Sequence, residues 1–417
     1  TLEQTRPHVA IVLHHLPLGG AETALLRVMA GLLPRVARLD LVLVERRGPL
    51  LDKVPPGIRI IEIGTAPRWW TRLHLRRLPK LCDVGISTER LVRGKVPNLG
   101  RGLLPLVAYL RREKPDAVLT SMTPNNIAVS WAKALAQIEA RIVLREAAHF
   151  STETGCGQRN TDDILPQLAR TWYPRADAVI AVSKGVAEDL RTQLDLAPPL
   201  LHVIPNGYDV DEIRKAAGED IAAPWFAPGE PPVILAAGRL AAQKDFETLL
   251  HAFQSIRRTR PGVRLVILGE GEERGKLEAL VSRLGLAESV RLPGLARDIA
   301  AQMARSAVFV LSSRYEGFPN VLIEAMACGC PVVATDCPSG PEEILDGGRL
   351  GPLVPVGNVE ALASAICARM DAPRDAAALR TRAADFSLDR ATRLYFEILC
   401  PSRTVRAPKI GLPLANF

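Results

Sequence analysis

Glu316 and Glu324 stand in the string SSRYEGFPNVLIEAMACGCPVVAT with seven residues between them. The string reads as a strand, Ala307–Leu311, then a loop with Gly317 and Pro319, then a helix from about Asn320 that Gly329 and Pro331 close. Val321, Leu322, Ile323, Ala325, Met326 and Ala327 make the helix apolar, and Glu324 alone carries charge. A carboxylate on such a helix lies near the interior and needs partners there. The two hydroxyls of a sugar diol suit its two oxygens. The competing reading is a buried Glu paired to a core Arg behind an ordinary turn. The loop exposes backbone N–H groups at a helix N-terminus, a ready anion site. Glu316 lies in that loop, beyond the C-terminal end of the strand, where ligands of open parallel sheets lie.

Two further loops carry compatible chemistry. In VILAAGRLAAQKDFETLLHAF a strand ends at Gly238, Arg239 and Lys244 follow, and a helix begins near Asp245. An Arg fork and a Lys point charge between strand and helix suit a diphosphate; two solvated surface cations are the alternative. In VLHHLPLGGAETALL, Gly19 and Gly20 separate the first strand from the first helix. Glycine lets backbone approach a bulky anion or sugar. One glycine pair without a third Gly is not the dinucleotide fingerprint G-x-G-x-x-G, and a tight turn would also explain it.

These loops need strands and helices to hold them. Short apolar runs fit buried parallel strands: Val9–Leu13, Leu39–Val44, Arg59–Ile63, Ala117–Thr120, Arg141–Leu144, Ala178–Val182 and His202–Ile204. A second series follows at Val233–Ala237, Arg264–Leu268, Ser289–Leu292, Ala307–Leu311 and Pro331–Thr335. Amphipathic helical patterns lie between them, such as Ala21–Leu33, Lys184–Leu194, Phe246–Arg257 and Lys276–Leu284. The alternation predicts an α/β protein with parallel sheets. It breaks between about Asn206 and Pro232, which reads as a linker between two Rossmann-like domains. The expected division is 1–210, 211–390 and a C-terminal segment 391–417 that returns toward the first domain.

The bulk properties agree. The chain has 417 residues, 47% hydrophobic and 24% charged, an ordinary globular balance. No apolar run reaches the roughly 18 residues a membrane span needs. Val9–Leu13 has Arg6 as the only basic residue before it and no small-residue cleavage site after it, so no secretory leader is expected. Seven scattered cysteines suit a cytoplasmic chain. Cys328 and Cys330 have the wrong spacing for a zinc knuckle and read as small buried residues; no metal site is expected. The net charge is +8, and residues 67–114 hold twelve Lys/Arg against three Asp/Glu, a net of +9, so the rest sums to −1.

Taken together the motifs resemble retaining glycosyltransferases of the GT-B fold, specifically family 4 of the bacterial surface-polysaccharide type. The matching strings are GGAE at Gly19–Glu22, IPNGYD at Ile204–Asp209, GRL…QKDF at Gly238–Phe246, LGEGEER at Leu268–Arg274, EGFPNVLIEAMACGCPVVAT at Glu316–Thr335 and CPSGPEEIL at Cys337–Leu345. The resemblance is specific over the C-terminal half and loose over the N-terminal half. It implies a nucleotide-diphosphate sugar as co-substrate, UDP first by family frequency, with no metal or other cofactor. Arg239 and Lys244 would hold the diphosphate, Glu324 the ribose, and Glu316 the transferred sugar. Backbone N–H groups of Gly317, Phe318 and Asn320 would touch sugar or phosphate, and Gly20 would let the domains close. Many relatives place a His against the sugar; here the strand end reads VLREAAHF, so Arg145, Glu146 or His149 lines the cleft, or His149 is a plain loop histidine. The acceptor would be a saccharide or a lipid-linked sugar.

RWWTRLHLRRLPK at residues 68–80 interleaves cations with Trp69, Trp70, Leu73 and Leu75, as at an interface with anionic headgroups. The alternative is a basic loop packed on its own domain. No nucleic-acid recognition motif accompanies the charge. The expectation is a cytoplasmic enzyme, peripheral on the inner membrane face. A nucleotide-sugar epimerase and an inactive GT-B scaffold subunit are the competing functions. The GGAE loop and the two-Glu string argue against the first, and the complete donor set against the second.

Overall fold

The computed structural model describes residues 6–67, 97–155 and 165–401. The chain forms two Rossmann-like domains, each built on a parallel sheet. The N-terminal sheet has seven strands: β1 (His8–Leu13), β2 (Arg38–Leu43), β3 (Arg59–Glu62), β4 (Ala117–Ser121), β5 (Arg141–Glu146), β6 (Ala178–Ala181) and β7 (Leu201–Val203). Their spatial order is β3-β2-β1-β4-β5-β6-β7. The C-terminal sheet has six: β8 (Val233–Ala237), β9 (Arg264–Leu268), β10 (Val290–Gly294), β11 (Val308–Leu311), β12 (Val332–Thr335) and β13 (Leu353–Val354), in the order β10-β9-β8-β11-β12-β13. In both sheets the order reverses beside the first strand, so a crevice opens at the carboxyl ends there. Every strand expected from an apolar run is present within two residues of its predicted limits. Leu353–Val354 escaped notice because two residues carry no periodic signal.

One apolar cluster runs through both domains, from Val118 and Leu144 in the first sheet to Leu311 and Val332 in the second. The domains therefore meet over packed side chains as well as across a crevice. The chain passes between them twice. The first passage was expected to be irregular from Asn206 to Pro232. It instead contains a helix, Val210–Ala217, whose first turn is capped by Asp209 accepting from the Glu212 amide at 2.9 Å. That helix packs on helices Ile299–Arg305 and Asn320–Ala327 and so belongs to the C-terminal domain.

The second passage, at Phe386–Leu388, lies beside the first. The Tyr208 amide donates to Phe386 O and the Leu388 amide to Tyr208 O, both at 2.9 Å. Contact this close needs Gly207, where a Cβ would sit 2.7 Å from the Leu388 Cα. Helix Leu388–Leu399 then crosses back and buries Ala391, Tyr395 and Leu399 in the N-terminal core beside Leu25 and Ile180. The segment Arg68–Lys80, where an anionic interface was expected, lies outside the described residues. Among the described residues no helix is long and apolar enough to cross a membrane.

Candidate active site

The carboxyl ends of β8 and β11 bring the C-terminal cations and carboxylates together. After β8 the chain passes Gly238 and Arg239 into a 3-10 turn, Ala242–Lys244, and Asp245 in left-handed conformation (φ 48°) opens helix Phe246–Thr259. Lys244 reaches across to the loop after β11, where its Nζ lies 2.5 Å from Glu316 Oε1. Ser313 Oγ donates to the same oxygen at 2.6 Å. Glu316 is buried, so these two bonds are what make its charge tolerable there. Arg239 is exposed. Its side chain has no hydrogen bond or ion pair among the described residues, which leaves its guanidinium open toward the crevice.

Helix Asn320–Ala327 has Pro319 at its N-cap and no side-chain cap, so its first amides are open to a ligand. Its apolar residues Leu322, Ile323, Ala325, Met326 and Ala327 are buried, whereas Glu324 faces the crevice with 19% of its side chain exposed. Of the two sequence readings of Glu324, the structure shows the arginine pairing, Arg27 Nη2 to Oε1 at 3.0 Å, but that arginine comes from the opposite domain. Asn320 also joins the domains. Its Nδ2 donates to Gly20 O at 2.8 Å, and its Oδ1 accepts from Asn206 Nδ2 at 2.9 Å and from the Tyr208 hydroxyl. Phe318 packs its ring edge-on against Phe386, with 5.5 Å between centroids.

Two glycines set how closely the walls approach. A Cβ at Gly317 would lie 2.0 Å from Ala147 O, and one at Gly20 would lie 3.0 Å from Asn320 Nδ2. Glu22, in the first turn after Gly20, has its carboxyl pushed up by burial and partly pulled back by its own backbone amide and by Arg145 and Arg239. Arg239 thus faces the GGAE turn across the crevice.

The three residues offered for the missing histidine take different positions. Arg145 is 1% exposed, and its guanidinium donates to Tyr395 Oη, Ser121 Oγ and Asn206 Oδ1 at 2.8–2.9 Å. Glu146 is also buried; its Oε1 accepts from Thr123 and Asn126 at 3.0 and 2.8 Å and from the Tyr173 hydroxyl. Burial pushes its carboxyl up to about 7 despite those donors. Both residues are therefore buried and bonded to protein groups, whereas the sequence offered each, with His149, as a candidate to line the cleft. His149 sits on the following loop with Nδ1 2.9 Å from Thr152 Oγ1 and 3.5 Å from Asp189 Oδ2. The sequence reading gave no role to Arg27, Ser313, Asn206 or Tyr208. Asn206 and Tyr208 belong to a quoted motif, but Arg27 carries no local signal beyond lying two helical turns from Gly20. Burial pushes the thiols of Cys328 and Cys330 up to about 12, which leaves them inert. A cavity of about 1010 Å³ opens elsewhere between the domains, lined among others by Lys184, Glu343, Arg382 and Arg390. It contains neither Arg239 nor Lys244.

Comparison with known proteins shows the family and the fold. Residues 18–212 match the family described as Glycosyltransferase Family 4, and residues 231–371 the one described as Glycosyl transferases group 1. An N-acetylgalactosamine-N,N'-diacetylbacillosaminyl-diphospho-undecaprenol 4-alpha-N-acetylgalactosaminyltransferase of Campylobacter jejuni is 30% identical over 362 residues, 84% of this chain and 86% of the relative. The lipopolysaccharide core biosynthesis glycosyltransferase LpsE of Rhizobium meliloti is 30% identical over 72% of this chain and 81% of its own length. HepE of Anabaena, solved in complex with UDP-glucose, superposes with a TM-score of 0.73 at 20% identity, covering 94% of this chain and 98% of HepE. The chain belongs to glycosyltransferase family 4, and its two facing domains form the GT-B fold.

Two expectations follow from the geometry. Gly317→Ala should leave the thermal midpoint nearly unchanged, because the strain is relieved by parting the domains. Glycosyl transfer should fall on the order of 100-fold, as for a misplacement of about 1 Å; wild-type turnover would show that the Ala147 contact does not set the closed geometry. Glu146 is held neutral to about pH 7 in the folded protein, against a pKa of about 4.3 in the unfolded chain. A raised carboxyl pKa means that stability is lost as pH climbs from about 4.3 to about 7 and is flat above. Glu146→Gln should remove that slope and raise stability at pH 8 by roughly 3 to 4 kcal/mol, as read by urea unfolding across pH; an unaltered slope would contradict the assignment.

Proposed function

We propose that this glycosyltransferase moves a hexose or N-acetylhexosamine from a UDP-sugar to a saccharide or lipid-linked acceptor, with retention and without a metal ion, in cell-surface polysaccharide or glycolipid synthesis. The observation that carries the reading is the meeting of Arg239, Lys244 and the uncapped amides of helix Asn320–Ala327 at one crevice, with Glu316 and Glu324 beside them. These cations and amides supply, without a metal ion, the positive charge that a departing diphosphate requires. Glu324 accepts from the ribose hydroxyls. Glu316, already bonded to Lys244 and Ser313, accepts from the transferred sugar and fixes the Lys244 ammonium at the phosphates.

The reaction then needs no free carboxylate nucleophile. The bond from the sugar C1 to the diphosphate oxygen breaks as Arg239 and Lys244 take up the growing charge. The acceptor oxygen attacks C1 on the face the diphosphate leaves, and its proton passes to a departing phosphate oxygen. UDP is supported by the bound UDP-glucose of HepE, and a lipid-linked acceptor by the diphospho-undecaprenol in the name of the Campylobacter relative.

Calorimetry with UDP-, GDP- and ADP-sugars tests the donor site. A UDP-sugar should bind. Glu324→Gln should weaken that binding about tenfold, whereas Glu316→Ala should lower turnover by roughly 100-fold with a smaller change in affinity. No binding to any nucleotide sugar would overturn the function, and unchanged kinetics in both variants would overturn the roles. The reading also places the enzyme on the inner membrane face through residues 67–114. Vesicle co-sedimentation should show a preference for anionic lipid that the joint replacement of Arg72, Arg76 and Arg77 by Ala reduces. Equal binding to neutral and anionic vesicles would remove this part.

A further inference from the structure

Arg27 is anchored in the N-terminal domain, on helix Gly20–Leu32, and its guanidinium ends on a carboxylate of the C-terminal domain, Nη2 to Glu324 Oε1 at 3.0 Å. Its Cζ lies 4.7 Å from the ring centroid of Tyr208, close enough for the ring face to stabilise the cation. Tyr208 is itself buried and bonded through its hydroxyl to Asn320, one turn before Glu324 on the same helix. Arg27 Nη1 is buried and has no partner among the described residues. The guanidinium is therefore held on one face by the Tyr208 ring and at one end by Glu324.

We propose that Arg27 is the positioning residue for the Glu324 carboxylate, which makes nucleoside binding and closure of the two domains a single event. The inference rests on the ribose role of Glu324 given above. A glutamate on a crevice wall samples several rotamers, and ordering it on ligand binding costs free energy. With the domains together, the Arg27 bond to Oε1 orders the carboxylate and leaves Oε2, together with the second lone pair of Oε1, to accept from ribose hydroxyls. It also balances the Glu324 charge, which would otherwise oppose a diphosphate bound nearby. Because donor and acceptor of this bond lie on different domains, opening the crevice breaks it. The ribose then meets a less ordered, uncompensated carboxylate.

The test is calorimetry of UDP, GDP and ADP, with their 2′-deoxy and 3′-deoxy forms, on wild type, Arg27→Met, Arg27→Lys and Glu324→Gln, alongside thermal midpoints. Wild type should bind the ribonucleotide about tenfold more tightly than the deoxy form, the usual worth of a hydrogen bond to a charged group. Arg27→Met should weaken the ribonucleotide about tenfold and shrink the deoxy penalty below about threefold. Arg27→Lys, which keeps the charge, should recover part of both. The donor KM should rise more than kcat falls. A purely structural role predicts equal weakening of ribo and deoxy nucleotides, and that result would overturn the inference. Weakening by Glu324→Gln but not by either Arg27 variant would sink the Arg27 role and leave the ribose role standing. A deoxy penalty that survives Glu324→Gln would remove the ribose role itself.

Discussion

The buried guanidinium of Arg145 is the group on which the arrangement of this molecule depends. Removing a cation from water is tolerated only where its donors are met. Arg145 meets its acceptors on three separate segments: Ser121 at the end of β4, Asn206 on the first passage between domains, and Tyr395 on the helix that crosses back. None of these three acceptors is a carboxylate. Each segment is thereby placed relative to the end of β5, and the placement carries onward. Asn206 donates to Asn320, Asn320 donates to Gly20 O, and Asn320 opens the helix that carries Glu324. One buried charge thus fixes the register between the hinge and both walls of the crevice.

The charges in the crevice are disposed in a consistent way. Glu316 is met by Lys244 and Glu324 by Arg27, so each carboxylate is compensated by a cation on an element other than its own helix or loop. Arg239 is left open and faces the GGAE turn, where Glu22 senses it. A resting site of this kind presents net attraction to a diphosphate while keeping two acceptors poised for hydroxyls. Two unpaired carboxylates would instead repel the diphosphate and raise each other's pKa.

How much of this was legible depended on whether the signal was local. The continuous apolar runs announced the sheets because strands covered on both faces admit little else. Glu324 was conspicuous as the only charge on an apolar helix, and Arg239 and Lys244 as cations between strand and helix. Arg145 misled for the same reason: at the end of β5 it reads as a residue facing the crevice, whereas the returning helix supplies Tyr395 and draws it inside. That partner lies 250 residues away in sequence. Arg27 was silent because an arginine on an amphipathic helix is ordinary until a partner 297 residues distant is known. The helix Val210–Ala217 was hidden by the Pro, Gly and Ala that follow it, which made the whole stretch resemble a linker. Its eight residues are too few for periodicity to prevail over that composition.

The closeness of the two domains is itself encoded in residues that lack side chains. Gly20 approaches Asn320, Gly317 approaches Ala147, and Gly185 approaches Ser339, where a Cβ would come within 2.8 Å of that residue's Cα. At the third point Glu343 of the C-terminal domain also accepts from the amides of Lys184 and Gly185, at 3.0 and 3.3 Å. This carboxylate caps a helix N-terminus across the boundary and gains from its dipole. None of the three glycines needs positive φ, so conformational freedom does not explain them. What they share is backbone brought against the opposing domain: a Cβ would collide with backbone at Gly317 and Gly185 and would press on the Asn320 amide at Gly20. Three glycine contacts and one carboxylate cap lie between the domains in the arrangement that brings Arg27 within reach of Glu324.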